Sequence, residues 1–255
     1  MHACLDREVR RMKNLYDLLV EKKKQGKKSL AVLVDPDKTE NLPLLLDHAK
    51  KNPPDIFLVG GSLLSEKNLE SCIGLIHEKT KIPVVLFPGN EMQVSPSADG
   101  LLLLSLISGR NPDFLIGRHV AAAGMIRASQ LEIIPTGYIL VESGSLTAVN
   151  YISNTQPVPR NNSSIAVLTA LAGEQLGMKM IYLEAGSGAQ LSVPLEMISA
   201  VKKNISIPLI TGGGLKTKTD AEERFKAGAD MIVIGNVLEE KPELLASFFQ
   251  ITQSF

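Results

Sequence analysis

Short unbroken apolar runs alternate with stretches of helical spacing along this chain, roughly eight rounds of each. The runs are Leu30–Val34 (LAVLV), Ile56–Val59 (IFLV), Pro83–Phe87 (PVVLF), Gly100–Ser105 (GLLLLS), Gly137–Val141 (GYILV), Met180–Glu184 (MIYLE), Ile207–Thr211 (IPLIT) and Met231–Ile234 (MIVI). Leu101–Leu104 has no polar alternation, as expected of a parallel strand covered on both faces. Between the runs, Leu42–Lys50, Leu69–His77, Asn111–Arg127 and Ile165–Gly177 suit helices, the last closed by its glycine. Leu5, Val9, Met12, Leu15 and Leu18–Leu19 predict one more amphipathic helix ahead of the first strand. The pattern is that of an α/β protein, a (β/α)₈ TIM barrel, with residues 1–255 forming a single domain plus an extra N-terminal helix. The length of 255 residues agrees with the roughly 250 of such a barrel.

The chemistry-bearing residues gather where strands end. Met180–Gly188 (MIYLEAGSG) is a buried strand that turns into a glycine loop, and Ile207–Leu215 (IPLITGGGL) and Asp230–Asn236 (DMIVIGN) repeat the arrangement. Glycine admits positive φ and lets backbone N–H groups approach an anion, and a helix starting nearby adds the favourable end of its dipole. Three such turns on neighbouring strands predict a phosphate site at the barrel mouth, with Glu184 beside the anion. A glutamate ending a buried strand is costly unless paired, solvated or used in chemistry. Asp35, in the Asp35-Pro36-Asp37-Lys38 that follows strand one, reads either as a plain Asp-Pro turn or as a carboxylate ligand for Mg²⁺. Ser62, after Gly60-Gly61, either caps the next helix or offers its hydroxyl to a metal or phosphate oxygen. Ser143–Ser164 is a long polar loop of the kind that is either functional or disordered, and Arg160 within it could reach an anionic group. The small residues Ala121–Gly124 either allow close helix packing or border an apolar groove.

Composition narrows the class. Lysine plus arginine and aspartate plus glutamate both number 27, so the net charge is zero, against a nucleic-acid protein with its basic surplus. Two cysteines, Cys4 and Cys72, read as free thiols of a reducing cytoplasm. Charges at Asp6, Arg7, Glu8, Arg10 and Arg11 break up any apolar signal core, and Leu101–Ile107 is far short of the about 20 residues that span a bilayer. Lys22–Lys24, Lys27 and Lys28 read as a solvated helix end, with attraction to an anionic membrane as the minor alternative.

In combination, VDPDK after strand one, VGGS after strand two, YLEAGSG after strand six, TGGG after strand seven and IGN after strand eight closely resemble the geranylgeranylglyceryl phosphate synthase family, which also holds bacterial heptaprenylglyceryl phosphate synthases. The likeness runs from Leu30 to about Leu238, and the SNTQPVPR loop looks like the larger branch of that family. The resemblance implies transfer of a polyprenyl group, here a C20 geranylgeranyl, from its diphosphate to the C3 hydroxyl of sn-glycerol 1-phosphate with Mg²⁺. It further implies that Asp35 and Ser62 hold the metal, and that Tyr182, Leu183, Glu184, Ala185, Gly186, Ser187, Gly188, Gly213, Gly214, Gly235 and Asn236 hold glycerol phosphate. Glu184 is the expected general base on the attacking hydroxyl. A homo-oligomer is expected on the same analogy. One departure stands out: some members carry a lysine two residues before the strand-one aspartate, where this chain has Leu33. Strands three and four and the Ala121–Gly124 helix are the candidate walls of a prenyl channel.

Two rivals remain. An isomerase or aldolase on a phosphate barrel would need a facing acid and base, for which Glu184 and Glu142 are the obvious pair, or a Schiff-base lysine, for which only Lys179 borders a strand. A non-catalytic phosphate- or flavin-binding barrel would keep the glycine turns but have no use for Asp35, Ser62 and Glu184 together.

Overall fold

The computed structural model describes residues 14–61, 66–90 and 93–255, without the side chains of residues 66 and 67. Eight parallel strands run in chain order around a closed barrel. They are β1 (Ser29–Val34), β2 (Ile56–Val59), β3 (Val84–Leu86), β4 (Gly100–Ser105), β5 (Glu132–Leu140), β6 (Met180–Glu184), β7 (Leu209–Gly212) and β8 (Met231–Ile234). Pairing of Ala31 with Val233 and of Val32 with Ile234 closes the ring between β1 and β8. Helices α2 (Leu42–Lys51), α3 (Glu66–Lys79), α4 (Arg118–Ser129), α6 (Ser163–Gln175), α7 (Leu195–Asn204), α8 (Lys218–Ala227) and α10 (Leu245–Gln253) surround it, and α1 (Leu15–Lys24) precedes it. Two shorter helices, α5 (Ala148–Ser153) and α9 (Asn236–Glu240), lie in the connections after β5 and β8.

Apolarity at successive strand positions has a direct structural use. Leu30, Val32 and Val34 of β1 and Ile181 and Leu183 of β6 pack outward in the core shared with the helices. Their neighbours Ala31, Met180 and Tyr182 belong to a second cluster that fills the barrel with Leu58, Val85, Leu102, Tyr138, Ile210 and Val233. Side chains alternate faces along each strand, so both faces must be apolar where both are covered.

The predicted N-terminal helix is present from Leu15; Leu5, Val9 and Met12, like Cys4, lie outside the described residues. α1 places Leu15 and Leu19 against the barrel interior. Its first turn is capped from across the fold: the Glu132 carboxylate accepts from the N–H of Leu15 (2.6 Å) and of Tyr16 (2.9 Å). The lysines near its end reach the same rim, Lys22 to Asp55 (2.6 Å), Lys23 to the Ser206 carbonyl and Lys28 to the Ala229 carbonyl (2.8 Å). These partners precede β2, β7 and β8, so the basic cluster sits at the N-terminal end of the barrel, opposite the strand-end motifs. A carboxylate serving as an N-cap is worth about 1 kcal/mol. Glu132→Ala is expected to lower Tm by about 2–4 °C in a thermal melt, the shift that such a loss produces in a chain of this size.

Three elements differ from the pattern reading. β5 begins at Glu132, five residues before the predicted Gly137, and contains Pro135. The Pro135 carbonyl accepts from Lys179 N (2.8 Å), just before β6 begins at Met180. The N–H that proline lacks would point the same way, below the start of β6, so the ladder loses little. The helix predicted from Asn111 opens as a π-helical turn, Asp113–Gly117, that runs into α4. The long polar loop Ser143–Ser164 is ordered and carries α5, whose Thr147 and Asn150 form a capping box.

Candidate functional site

Asp35 follows β1 and Glu184 ends β6, and parallel strands put both at one rim of the barrel. The glycine turns after β6, β7 and β8 meet there. A β-carbon on Gly213 would overlap the Glu184 Oε1 and lie 2.8 Å from the Gly186 nitrogen, so those two loops are in direct contact. Ser187 reaches Asn236 in the β8 loop (3.2 Å). A β-carbon on Gly235 would sit 3.5 Å from that of Leu33, so Leu33 lies beside the third turn. Gly186, Gly188, Gly213 and Gly214 all have positive φ, between +72° and +100°. This is the left-handed backbone for which glycine was selected in these turns.

Glu184 is 6% exposed, and Gly186 N–H donates to its Oε1 at 2.6 Å. Burial pushes its carboxyl above the usual value, opposed by interactions with the Tyr182 hydroxyl and the amides of Gly186 and Ala185. The Tyr182 hydroxyl faces this carboxylate closely enough to feel its charge. It falls short of regular hydrogen-bond geometry, however, and has no other partner among the described residues. Burial and the Glu184 charge hold Tyr138 and Tyr182 well above the usual phenol range, so both keep their protons. Leu183 points the other way, into the helix-facing core, and has only its main chain to offer the rim.

An apolar groove leads into the same place. It lies between Phe87 and Pro88 after β3, Leu101, Leu103 and Leu104 of β4, Phe114, and Ala122 and Ile126 of α4. Val149 and Ile152 of α5 line it too, which gives the long loop a use. Tyr138 lines it as well, and its ring meets that of Tyr182 edge-on at 5.4 Å, with Phe87 5.6 Å from Tyr182. Ala122 is the buried member of the small-residue patch, and nothing lies within 4 Å of a β-carbon built on Gly124. The patch therefore borders a groove rather than packing tightly against a neighbour. Strands three and four and the Ala121–Gly124 helix, the candidate walls named from the sequence, all contribute to the lining, whereas Tyr138 and α5 were missed. The available signal was Tyr138, a polar tip inside an apolar strand, which pairs in register with Tyr182.

Asp35 remains accessible at the rim, with its Oδ1 accepting from Asp37 N–H (3.1 Å) and its Oδ2 paired with Lys38 (3.3 Å), which also reaches Glu239 (3.6 Å). Among the described residues no three His, Cys, Asp or Glu side chains form a ready-made metal cage. Asp35 offers one carboxylate at this rim, the kind of ligand that, together with substrate phosphates, would suit Mg²⁺. Ser62 lies outside the described residues. Arg160 is tied to the carbonyls of Glu142 (2.8 Å) and Ser192 (3.3 Å), on the glycine-loop side of the mouth.

The rival readings find less support. Lys179 lies at the opposite rim, its ammonium 5.0 Å from the Tyr16 ring of α1. Glu142 is exposed beyond the end of β5.

Comparison with known proteins gives the same picture. The chain is 49% identical over 240 residues to the geranylgeranylglyceryl phosphate synthase of Spirosoma linguale, covering 93% of this chain and 96% of the relative. It is 48% identical over 234 residues to the enzyme of the same name from Flavobacterium johnsoniae, covering 91% and 96%. The crystal structure of (S)-3-O-geranylgeranylglyceryl phosphate synthase from Thermoplasma acidophilum, in complex with its substrate sn-glycerol-1-phosphate, superposes with a TM-score of 0.90 at 29% identity, over 96% of this chain and 100% of that one. A family model described as the PcrB family matches residues 22–252. That span runs from the end of α1 into α10 and takes in every strand end that builds the rim: the chain belongs to the PcrB family.

Proposed function

We propose that this protein joins a polyprenyl diphosphate, geranylgeranyl by the names of its relatives, to the C3 hydroxyl of sn-glycerol 1-phosphate. The observation that carries the reading is the meeting of two unlike spaces at one carboxylate. An apolar groove takes in Tyr138, whose ring packs edge-on against Tyr182, and Tyr182 in turn faces the Glu184 carboxylate that glycine turns suited to a phosphate surround. A phosphate-sugar enzyme has no need of the first space, and a prenyl carrier has no need of the second.

The residues take the following parts. Main-chain amides of Ser187, Gly188, Gly213, Gly214, Gly235 and Asn236 receive the phosphate, while those of Ala185 and Gly186, bonded to the Gly212 carbonyl and to Glu184, hold the turn in shape around it. Tyr182 and the backbone of Leu183 complete the wall, and Glu184 accepts a hydrogen bond from the C3 hydroxyl. As that oxygen forms its bond to C1 of the prenyl chain and the C1–O bond to diphosphate breaks, the hydroxyl proton passes to Glu184. Asp35, with Ser62, would hold Mg²⁺, whose charge offsets that of the departing diphosphate. The apolar walls of the groove and the rings of Phe87, Tyr138 and Tyr182 exclude water from the reacting carbon. A single catalytic domain suffices for both substrates.

Self-association belongs to the same proposal. Ile116, Val120 and Met125 around α4, Leu168 on α6 and Leu176 just after it are exposed, apolar residues of the kind that cluster at subunit interfaces. No helix among the described residues is long and apolar enough to cross a membrane.

The reaction is tested with labelled glycerol 1-phosphate, Mg²⁺ and prenyl diphosphates of several lengths. A labelled product extractable into organic solvent is expected, and its absence with every chain length rejects the reading. The groove has its own test. Ala122→Phe places a ring in it and is expected to raise KM for the prenyl diphosphate about tenfold or more while leaving KM for glycerol 1-phosphate alone, since overfilling a packed apolar space costs roughly 1–3 kcal/mol.

A further inference from the structure

Behind the glycine turns, two arginines from separate parts of the chain hold one residue, Ser192. Arg224 of α8 directs Nη2 to the Ser192 hydroxyl, while its Nη1 donates to the Asp220 carbonyl (3.0 Å) and to Glu223 (3.3 Å). Arg160 donates to the Ser192 carbonyl from the other side (3.3 Å). Ser192 in turn backs Gly214, where a β-carbon would lie 3.3 Å from the Ser192 nitrogen and Cα, and where φ is +73°. Arg224 is only 6% exposed, and its Nε has no partner among the described residues. Burying a guanidinium with one N–H unmet is costly, and an apolar side chain would fill the space more cheaply.

We propose that Arg224 is a positioning residue: through Ser192 it fixes the Gly213–Gly214 turn so that its amides point at the phosphate of glycerol 1-phosphate. The inference rests on the reading of this rim as the glycerol phosphate site. Glu223 at 3.3 Å and Asp220 at 3.7 Å offset the charge of Arg224, so its part is geometric rather than an attraction for the anion. Displacing a binding turn by as little as an ångström loses binding far beyond the worth of one surface hydrogen bond.

The test compares Arg224→Met, Ser192→Ala and Ser192→Thr in full kinetics with both substrates, with thermal melts and calorimetric titration of glycerol 1-phosphate. KM and Kd for glycerol 1-phosphate are expected to rise roughly 10- to 100-fold in the first two variants. KM for the prenyl diphosphate should hold, kcat should change little, and threonine at 192 should restore binding. Should Arg224→Met fail to fold, Ser192→Ala decides alone, because it removes the hydrogen bond and leaves the arginine in place. Unchanged glycerol 1-phosphate binding in Ser192→Ala, or equal losses for both substrates, overturns the proposal while wild-type turnover keeps the function. A wild-type protein that neither binds glycerol 1-phosphate nor turns over removes the function, and this inference with it.

Discussion

Glu184→Gln is expected to lower turnover roughly 10²- to 10⁴-fold, the usual contribution of a general base, with glycerol 1-phosphate binding changed far less. Glutamine keeps the shape and can still accept from the Gly186 amide, but it cannot take the hydroxyl proton. Equal losses in kcat and in binding would contradict the role. The pH dependence follows from burial. The folded-state carboxyl is raised above its usual value, and only its ionised form is a base. Activity should therefore fall with decreasing pH at a higher point than an ordinary glutamate gives, and the acid limb that Glu184 sets should vanish in the glutamine variant. The same shift has a stability consequence of opposite sense. A group whose pKa rises on folding contributes stability that is full below its unfolded pKa and is lost as pH rises through the folded value. At neutral pH the buried carboxylate works against folding, so Glu184→Gln should melt no lower than wild type, with the difference shrinking in acid. A lower Tm at pH 7 would mean that the carboxylate is held for structure.

The second large effect is expected at Gly213. Alanine there must adopt φ +82°, which costs an L-residue about 1–2 kcal/mol. Its β-carbon would also collide with the Glu184 carboxylate and with the main chain of Gly186, 2.8 Å from the nitrogen and 2.9 Å from the oxygen. One methyl group therefore pushes apart the base and two of the three phosphate turns. A fall in kcat/KM of at least about a hundredfold is expected, the scale of an ångström's misplacement. Gly188→Ala is the matched control: φ is +72°, but nothing lies within 4 Å of its β-carbon. It carries similar backbone strain without the collision, so it should lose less activity at a similar cost in Tm. A Gly188→Ala loss equal to that of Gly213→Ala would show that strain alone, and not contact with Glu184, makes position 213 a glycine.

Much of the candidate rim is legible in the sequence. Glu184, the glycines of the three turns and Asp35 announce themselves because each breaks a local rule: a charge at the end of a buried strand, φ-permissive residues where a strand stops, a proline that ends a ladder. The groove was legible only as a set of candidate segments, strands three and four and the Ala121–Gly124 helix. Leu103, Leu104, Phe114 and Ile126 are the residues that any barrel places between sheet and helices, and no local signal separates a core wall from a substrate wall. α5 was hidden inside a stretch rich in asparagine and proline, because its stability comes from the Thr147–Asn150 cap and from packing over the groove rather than from helix propensity. Pro135 shortened β5 in the pattern for a similar reason, since only the start of β6 shows that its missing N–H has no ladder partner to lose.

By itself, then, the sequence determined the repeating strand–helix order, the parallel barrel and the backbone-lined anion turns, because periodicity and glycine act within a few residues of themselves. Tertiary structure alone decided that the Tyr138 ring joins an apolar groove to Tyr182, that Glu132 caps a helix more than a hundred residues away in the chain, and that two arginines converge on Ser192. Those contacts depend on closure and register, which place strand ends side by side through the whole barrel rather than through any one segment.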